Sequence, residues 1–554
     1  MVILLGAAML AVAGASPVHN AFTMWPADPL LKIMPDSKPP ENRDKSIRID
    51  AVINEHESAQ LVVTAGDRID KLTVAVHPLA GPSRLAPSVR AEFVGFVPVQ
   101  KGTSDTPPEH LIAAPPMRVP DPLLAVRSVC VESGTNQPIW LTVYVPKGCA
   151  PGTYSGSVEA VADGFSESVP LIVHVLPVML PDDRNLQLTN WFWPDKLAAA
   201  QNLEKWSEPF WKVLEAYARL MADHRQNVVL TPILELIDRR DAGAGGVTFD
   251  FSRFDRWVEL FRRAGVIGTI EGGHLGGRTD WEAEDFDAYT GGVTPDYSHT
   301  PDRRVKVTSE EYRQFLSEFF PALQKHLDEK RWTDIYLQHL CDEPISANAD
   351  SYRKLAAHVR RYAPRIRIIE ACMCSELVGA IDVWVPQPPH YEKDIDFFRR
   401  RQKAGDDVWF YTCLSPKGKY MNRFLDYPLL DVRLLHWANF KYGLTGYLHW
   451  GFNFWVGDPF RETEAGIAGV GALPPGDTHM IYPGRRGPLS SIRLEAMRDG
   501  IEDFELLRLL QEKDTRAAKR ICDSVVRSFT DYSLDPVALR AARLRLIKEL
   551  SNDR

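Results

Sequence analysis

The chain has 554 residues, 45% hydrophobic and 25% charged, a composition that excludes a wholly disordered protein and has room for a barrel of ~250 residues plus a smaller module. With 65 Lys and Arg against 73 Asp and Glu, the net charge is −8, so no positive field awaits a nucleic-acid backbone or anionic lipid. The basic run Arg399-Arg400-Arg401-Gln402-Lys403 reads as a solvated helix face.

Residues 1–15 read as a signal peptide. The apolar run from Val2 to Gly14 is shorter than the ~20 residues a bilayer span needs and ends Ala13-Gly14-Ala15-Ser16, an A-x-A-like cleavage site. The expectation is a secreted or periplasmic protein without a membrane span, although the only positive charge before the run is the α-amino group. Residues 20–178 follow a period of two with turn punctuation, as in Ser46–Val52 and Gln60–Thr64, and predict an antiparallel β-sandwich. Within it, Trp140–Pro146 and Ala150–Val158 read as a hairpin with Pro and Gly at the turn. Cys130 and Cys149 fall in this region and could pair, but seven cysteines at this density form no disulfide framework. Cys372-Met373-Cys374 has one intervening residue, not the two usual for zinc sites.

From Leu186 the rhythm becomes strand, helix, strand, helix. Candidate strands are 186–193, 228–234, 266–274, 334–341, 366–373, 382–386, 408–414 and 446–454, with helices such as 209–222, 251–264, 309–327 and 350–362 between them. Eight alternations over residues 186–512 predict a (β/α)8 TIM-like barrel. An open doubly wound sheet is the alternative, but no Gly-rich phosphate loop follows the first strand. Ile492–Leu510 predicts an amphipathic helix with Arg493 and Arg498 as surface ion-pair partners. Gly500 in its middle marks a close approach to another element. Residues 513–554 form a C-terminal helical extension.

A barrel carries its active site at the C-terminal strand ends. The fourth ends His339-Leu340-Cys341-Asp342-Glu343-Pro344, two adjacent carboxylates stopped by a proline. Neighbours on a regular strand face opposite ways, so both reach one pocket only if the pleat breaks there. The seventh ends Tyr411-Thr412-Cys413-Leu414-Ser415-Pro416, with no carboxylate to act as a distant nucleophile. Adjacent carboxylates project from one side and do not straddle a sugar, but they serve a substrate that brings its own nucleophile, a 2-acetamido oxygen attacking the anomeric carbon.

These residues resemble glycoside hydrolase family 123, exo-acting N-acetyl-β-galactosaminidases and proteins sharing their catalytic domain. The resemblance spans nearly the whole chain. It lies in Asn54–Val63 and the 146–158 segment of the sandwich, Leu340–Pro344, the eighth-strand motif Gly446–Trp455, Gly476–Gly484, and Ser491–Asp503. It implies Asp342 as stabiliser of an oxazolinium intermediate, Glu343 as general acid/base, no cofactor, and a glycan or glycoconjugate as substrate. Trp450, Asn453 and Trp455 read as sugar wall and hydroxyl contact, Asn190 and Trp191 likewise, and Asp477 and Tyr482 as acceptors on the following loop. Tyr411 suits donation to the acetamido carbonyl, and Glu271 a third acid. His274, His339 and His449 lie near strand ends, but their spacing matches no zinc motif, and no metal is expected. Two other readings remain: a different sugar with Asp458 or Glu271 as the partner carboxylate, and a non-catalytic glycan-binding protein. Oligomeric state is not legible.

Overall fold

The computed structural model describes residues 22–41, 44–243, 246–289, 305–467 and 470–552; the leader-like run 1–15 lies outside the described residues. The alternating N-terminal segments form two five-stranded sheets. One is ordered Phe22–Ala27, His56–Ala65, Asn136–Tyr144, Ser88–Val99, Met117–Leu124; the other Ile47–Ile53, Phe165–Met179, Gly152–Ala162, Ile69–Ala80, Val129–Val131. Leu61, Ile139 and Leu141 from the first sheet share one buried core with Ile49, Val158 and Val173 from the second, the packing of a sandwich.

Three expectations change here. The sandwich is not wholly antiparallel, because Phe165–Met179 pairs in parallel with Ile47–Ile53. The 140–158 stretch is no hairpin. Asn136–Tyr144 already has His56–Ala65 on one side and Ser88–Val99 on the other, so after Pro146 the chain crosses to the second sheet, where Gly152–Ala162 finds its partners. Cys130 is exposed and Cys149 buried, and all seven cysteines are free.

Eight short parallel segments then coincide with the expected strands, trimmed at their ends: Gln187–Asn190, Val228–Thr231, Thr269–Gly272, Tyr336–Gln338, Arg367–Ala371, Val383–Val385, a seventh divided at Trp409 into Asp407–Val408 and Phe410–Tyr411, and Gly446–His449. They pair as two runs instead of one continuous ring, one from Val228–Thr231 to Asp407–Val408 and one containing Phe410–Tyr411, Gly446–His449 and Gln187–Asn190. Isolated backbone bonds span both gaps: Asn227 N to Leu188 O at 3.4 Å, and Trp409 N to Trp384 O at 2.8 Å with Tyr411 N to Pro386 O at 3.2 Å. Trp191, Leu230, Leu337, Ile369, Val385 and Leu448 from the two runs gather in a common core. Helices intervene where the sequence starts them. Ser207 and Ser309 cap Glu208–Asp223 and Glu310–Lys330 by accepting from Phe210 N and Tyr312 N, which satisfies donors the helix cannot.

The helix Ile492–Lys513 departs furthest from its expectation. It is not amphipathic: its first sixteen residues are all buried, and Arg493 and Arg498 are 0% and 1% exposed. Both are enclosed because the sandwich strands His56–Ala65 and Met117–Leu124 and the helix Leu429–Tyr442 pack on this helix, and a buried charge must be paired. Arg493 holds Asp121 of the sandwich at 2.9 Å. Arg498 holds Glu495 at 2.5 Å and Asp499 at 2.8 Å. Gly500 marks a close approach as expected, since a Cβ there would lie 2.3 Å from the Arg433 carbonyl of helix Leu429–Tyr442.

Candidate active site

The segment Tyr336–Gln338 delivers Asp342 and Glu343, and the neighbouring strand fixes the backbone just before them. Glu370 of Arg367–Ala371 accepts from Leu340 N at 2.9 Å and Cys341 N at 3.2 Å on one oxygen. Glu343 itself is left-handed, with φ +48°, a conformation costing ~1–3 kcal/mol unless its surroundings impose it. Arg278 imposes it by donating to the Glu343 carbonyl at 2.6 Å. This is the break in the pleat that two adjacent carboxylates require. Both remain accessible, Asp342 with 25% and Glu343 with 20% of its side chain exposed.

Tyr411 OH donates to Glu343 Oε1, Arg278 Nη2 lies 3.5 Å from Oε2, and Gln387 Nε2 donates to Tyr411 OH at 3.1 Å. Burial, followed by the Asp342 charge, pushes the Glu343 carboxyl up to about 7 against the Tyr411 bond and Arg278. A carboxyl protonated near neutrality beside a second carboxylate is equipped to give a proton to a leaving oxygen. The Arg278 guanidinium also covers the Trp281 ring at 3.9 Å, and Trp281 is 47% exposed.

Below the pair lies a ladder of buried acids and imidazoles. His339 reaches Glu271 at 2.7 Å through Nε2 and Glu370 at 2.8 Å through Nδ1. Burial alone would lower the His339 pKa, but the two carboxylates win and raise it to about 10. Burial likewise pushes Glu370 up, and the His339 charge overcomes it, leaving about 2. His274, 3% exposed, places Nε2 3.4 Å from Glu370 and 3.9 Å from Asp342. Donor atoms of His274, His339 and Glu370 lie close enough to hold a cation, but an imidazole donating through both nitrogens has no lone pair left for one. His449 is not part of this group. Its Nδ1 accepts from Arg423 at 2.7 Å, and its Nε2 faces Asp477 at 3.3 Å.

The other candidates separate into three sets. Tyr411 touches the pair directly, and Glu271 and Trp191 support it from beneath: Glu271 is fully buried and accepts from Thr189 at 2.6 Å, Trp191 Nε1 at 2.9 Å and His339. A carboxylate so enclosed is no free third acid or distant nucleophile. Asp458, the other alternative, is half exposed and faces Arg461 at 3.5 Å. Trp450 is half-buried and donates to the enclosed Asp477 at 3.2 Å. Burial, followed by the Glu343 and Asp477 charges, pushes the Cys413 thiol up, and its Sγ accepts from Gln387 Nε2 at 3.5 Å.

Asn190, Asn453, Trp455 and Tyr482 are not brought to the pair. Asn190 accepts from Arg423 at 2.5 Å. Asn453 accepts from Trp193 N at 2.8 Å and returns a bond to its carbonyl at 3.1 Å, pinning two strand exits together. Trp455 donates to Ile481 O at 2.9 Å and packs on Tyr217. Tyr482 donates to Asp121 of the sandwich at 2.6 Å. Each is buried, and its polar atom is engaged by another group of the protein. Glu370, Arg278 and Arg423 are absent from the sequence-based candidates, although a lone carboxylate in the apolar run Ile368-Ile369-Glu370-Ala371 is a signal for the first.

Residues 191–510 match the family described as Glycoside hydrolase 123, catalytic domain, and residues 34–162 match the Glycoside hydrolase 123 N-terminal domain. No curated protein sequence matches the chain. Among solved structures, a family 123 glycoside hydrolase from Clostridium perfringens, studied for the details of glycolipid glycan hydrolysis, is 17% identical over 96% of this chain and 97% of its own, with a TM-score of 0.73. A GH10 xylanase with a bacterial Ig-like domain, from termite gut, is 11% identical over 83% of this chain and 100% of its own, with a TM-score of 0.32.

Proposed function

Because the chain belongs to glycoside hydrolase family 123, we propose that it is an exported, retaining exo-glycosidase that removes terminal 2-acetamido sugars, β-N-acetylgalactosamine first among them, by substrate-assisted catalysis. The observation that carries this reading is the kinked Asp342-Glu343 pair. Its two carboxyls share one strand end, and the seventh strand end offers no carboxylate across the sugar. In the first step the acetamido carbonyl oxygen bonds to the anomeric carbon as Glu343 gives its proton to the leaving oxygen, and the aglycone departs as an alcohol. Asp342 faces the nitrogen of the resulting oxazolinium ion. In the second step Glu343 takes a proton from water, which attacks the anomeric carbon and reopens the ring. Two inversions leave the configuration retained. We also read the two parallel runs as halves of one (β/α)8 barrel, supported by the backbone bonds across both gaps, and the first fifteen residues support export.

A panel of aryl glycosides tests the activity. The 2-acetamido β-galactoside is expected to be hydrolysed, its 2-hydroxy counterpart to be a poor substrate, and a thiazoline mimic of the oxazoline to inhibit. Glu343→Gln should lower kcat/KM by at least ~10²-fold. Equal turnover of the 2-hydroxy glycoside would overturn the substrate-assisted route. Glycan binding with no turnover across the panel, unchanged by Glu343→Gln, would favour a binding protein.

A further inference from the structure

Arg278 links Glu343 to the loop after strand Thr269–Gly272, and that loop carries Trp281, the most exposed tryptophan of the chain. Glycine seats the loop on the catalytic segment. Gly276 N donates to Leu340 O at 3.1 Å, and a Cβ on Gly276 would lie 2.7 Å from Asp287 O and 3.2 Å from Cys341 Sγ. Arg278 is thereby brought to Glu343, and the Trp281 ring stands 3.9 Å from its guanidinium carbon. A lone exposed apolar side chain needs no explanation. This one is held: the guanidinium covers one face, so the 47% exposure of Trp281 falls on the rest of the ring. The acid's proton lies on the same side. Gln387 Nε2 donates to Tyr411 OH at 3.1 Å, which leaves the Tyr411 proton for Glu343 Oε1. The better acceptor of a protonated carboxyl is its carbonyl oxygen, so the proton to be given away sits on Oε2, the oxygen 3.5 Å from Arg278 Nη2.

Resting on the exo-glycosidase reading, we infer that Trp281, backed by Arg278, is the platform for the leaving group, and that the group it takes is a neutral pyranose. The leaving oxygen meets the proton at Oε2, so whatever that oxygen carries lies on the Arg278 side, where the open part of the indole waits. The rim selects the class. A pyranose has an apolar C–H face to lie on an indole and hydroxyls around its edge. Asp280, Glu282 and Glu284 are exposed on the same loop and supply acceptors for those hydroxyls, while their charge repels an anionic aglycone. A lipid or an apolar peptide needs a continuous apolar patch, and Trp281 is the only exposed large hydrophobic among the described residues of this loop. Once Glu343 has given up its proton, the guanidinium faces the new carboxylate, so one side chain both backs the platform and offsets the charge left behind.

The test compares two substrates that differ only in the leaving group: the methyl β-glycoside of N-acetylgalactosamine, too small to reach Trp281, and a disaccharide joining the same sugar to a neutral hexose. Release of N-acetylgalactosamine is followed for the wild type, Trp281→Ala and Trp281→Phe. The wild type should prefer the disaccharide in kcat/KM by about tenfold, the size expected of one good aromatic contact. Trp281→Ala should erase that preference, and Trp281→Phe, which keeps a flat face, should restore most of it. A wild type with no preference, or a preference that survives Trp281→Ala, would overturn the inference and leave the glycosidase reading intact. An equal loss on both substrates would also overturn it. An alkaline limb moved to higher pH would then show that Trp281 only seats Arg278, whose charge lowers the Glu343 pKa. Hydrolysis of neither substrate by the wild type would remove the glycosidase reading itself, and the platform with it.

Discussion

Glu343 sits between influences of opposite sign, and each can be removed alone. The Asp342 charge pushes its carboxyl up, and the Tyr411 hydroxyl, donating to it, pulls it down. If Glu343 is the general acid, the alkaline limb of kcat/KM reports loss of its proton. Asp342→Asn should then move that limb to lower pH, and Tyr411→Phe should move it to higher pH. Rate profiles of both variants check the pair of signs, and limbs that move together or stay put would show that the carboxyls are not coupled through this geometry. Asp342 and Glu343 are legible in the sequence because an acidic doublet followed by proline interrupts an apolar strand. Arg278 is not, because it follows Gly276-Gly277 in a loop with no period to read. Trp455 and Tyr482 are hard to place because an aromatic residue beyond a strand end has the same sequence signal whether it faces a pocket, its own domain's core, as Trp455 does against Tyr217, or the sandwich, as Tyr482 does at Asp121.

At the scale of elements, the strand and helix alternation is legible while the pairing is not. Period two marks the strands of the sandwich but carries no information about the sheet each joins, so a Pro- and Gly-rich crossover after Pro146 looks like a hairpin. The helix Ile492–Lys513 defeats a different rule. Charged residues normally mark a solvent face, yet here Glu495, Asp499, Glu502 and Asp503 are buried against partners supplied from elsewhere in the chain. Gly500 is the readable exception, since glycine in a helix needs a reason. Gly500→Ala gains ~1 kcal/mol of helix propensity but sets a methyl group against the Arg433 backbone at 2.3 Å. Backbone is not displaced cheaply, and overpacking costs ~1–3 kcal/mol or more. The variant should melt several degrees below the wild type; a higher melting temperature would mean that the two helices can separate without loss.

Across the whole molecule, a buried charge network joins the parts. Arg433 holds Glu57 of the sandwich at 3.0 Å and Asp503 at 2.8 Å. Arg543, on helix Pro536–Ser551, holds the same Asp503 at 2.9 Å and also pairs with Glu55. Burial would raise Glu57, but Arg433 and Arg543 prevail and hold it near 2. Removing one member leaves its partners charged and dry, a loss of ~3–5 kcal/mol. Arg433→Ala should therefore lower stability by that amount, and the wild type should unfold in a single calorimetric transition. Two resolved transitions would show that sandwich and strand-bearing domain are independent. The network also limits how this architecture can be inherited. A crossover between relatives in the short linker before Leu186 would take Glu55 and Glu57 from one parent and Arg433, Asp503 and Arg543 from the other. A hybrid gene would survive only where both parents had kept the same charges at the seam, so the two halves are expected to pass through descent as a matched pair.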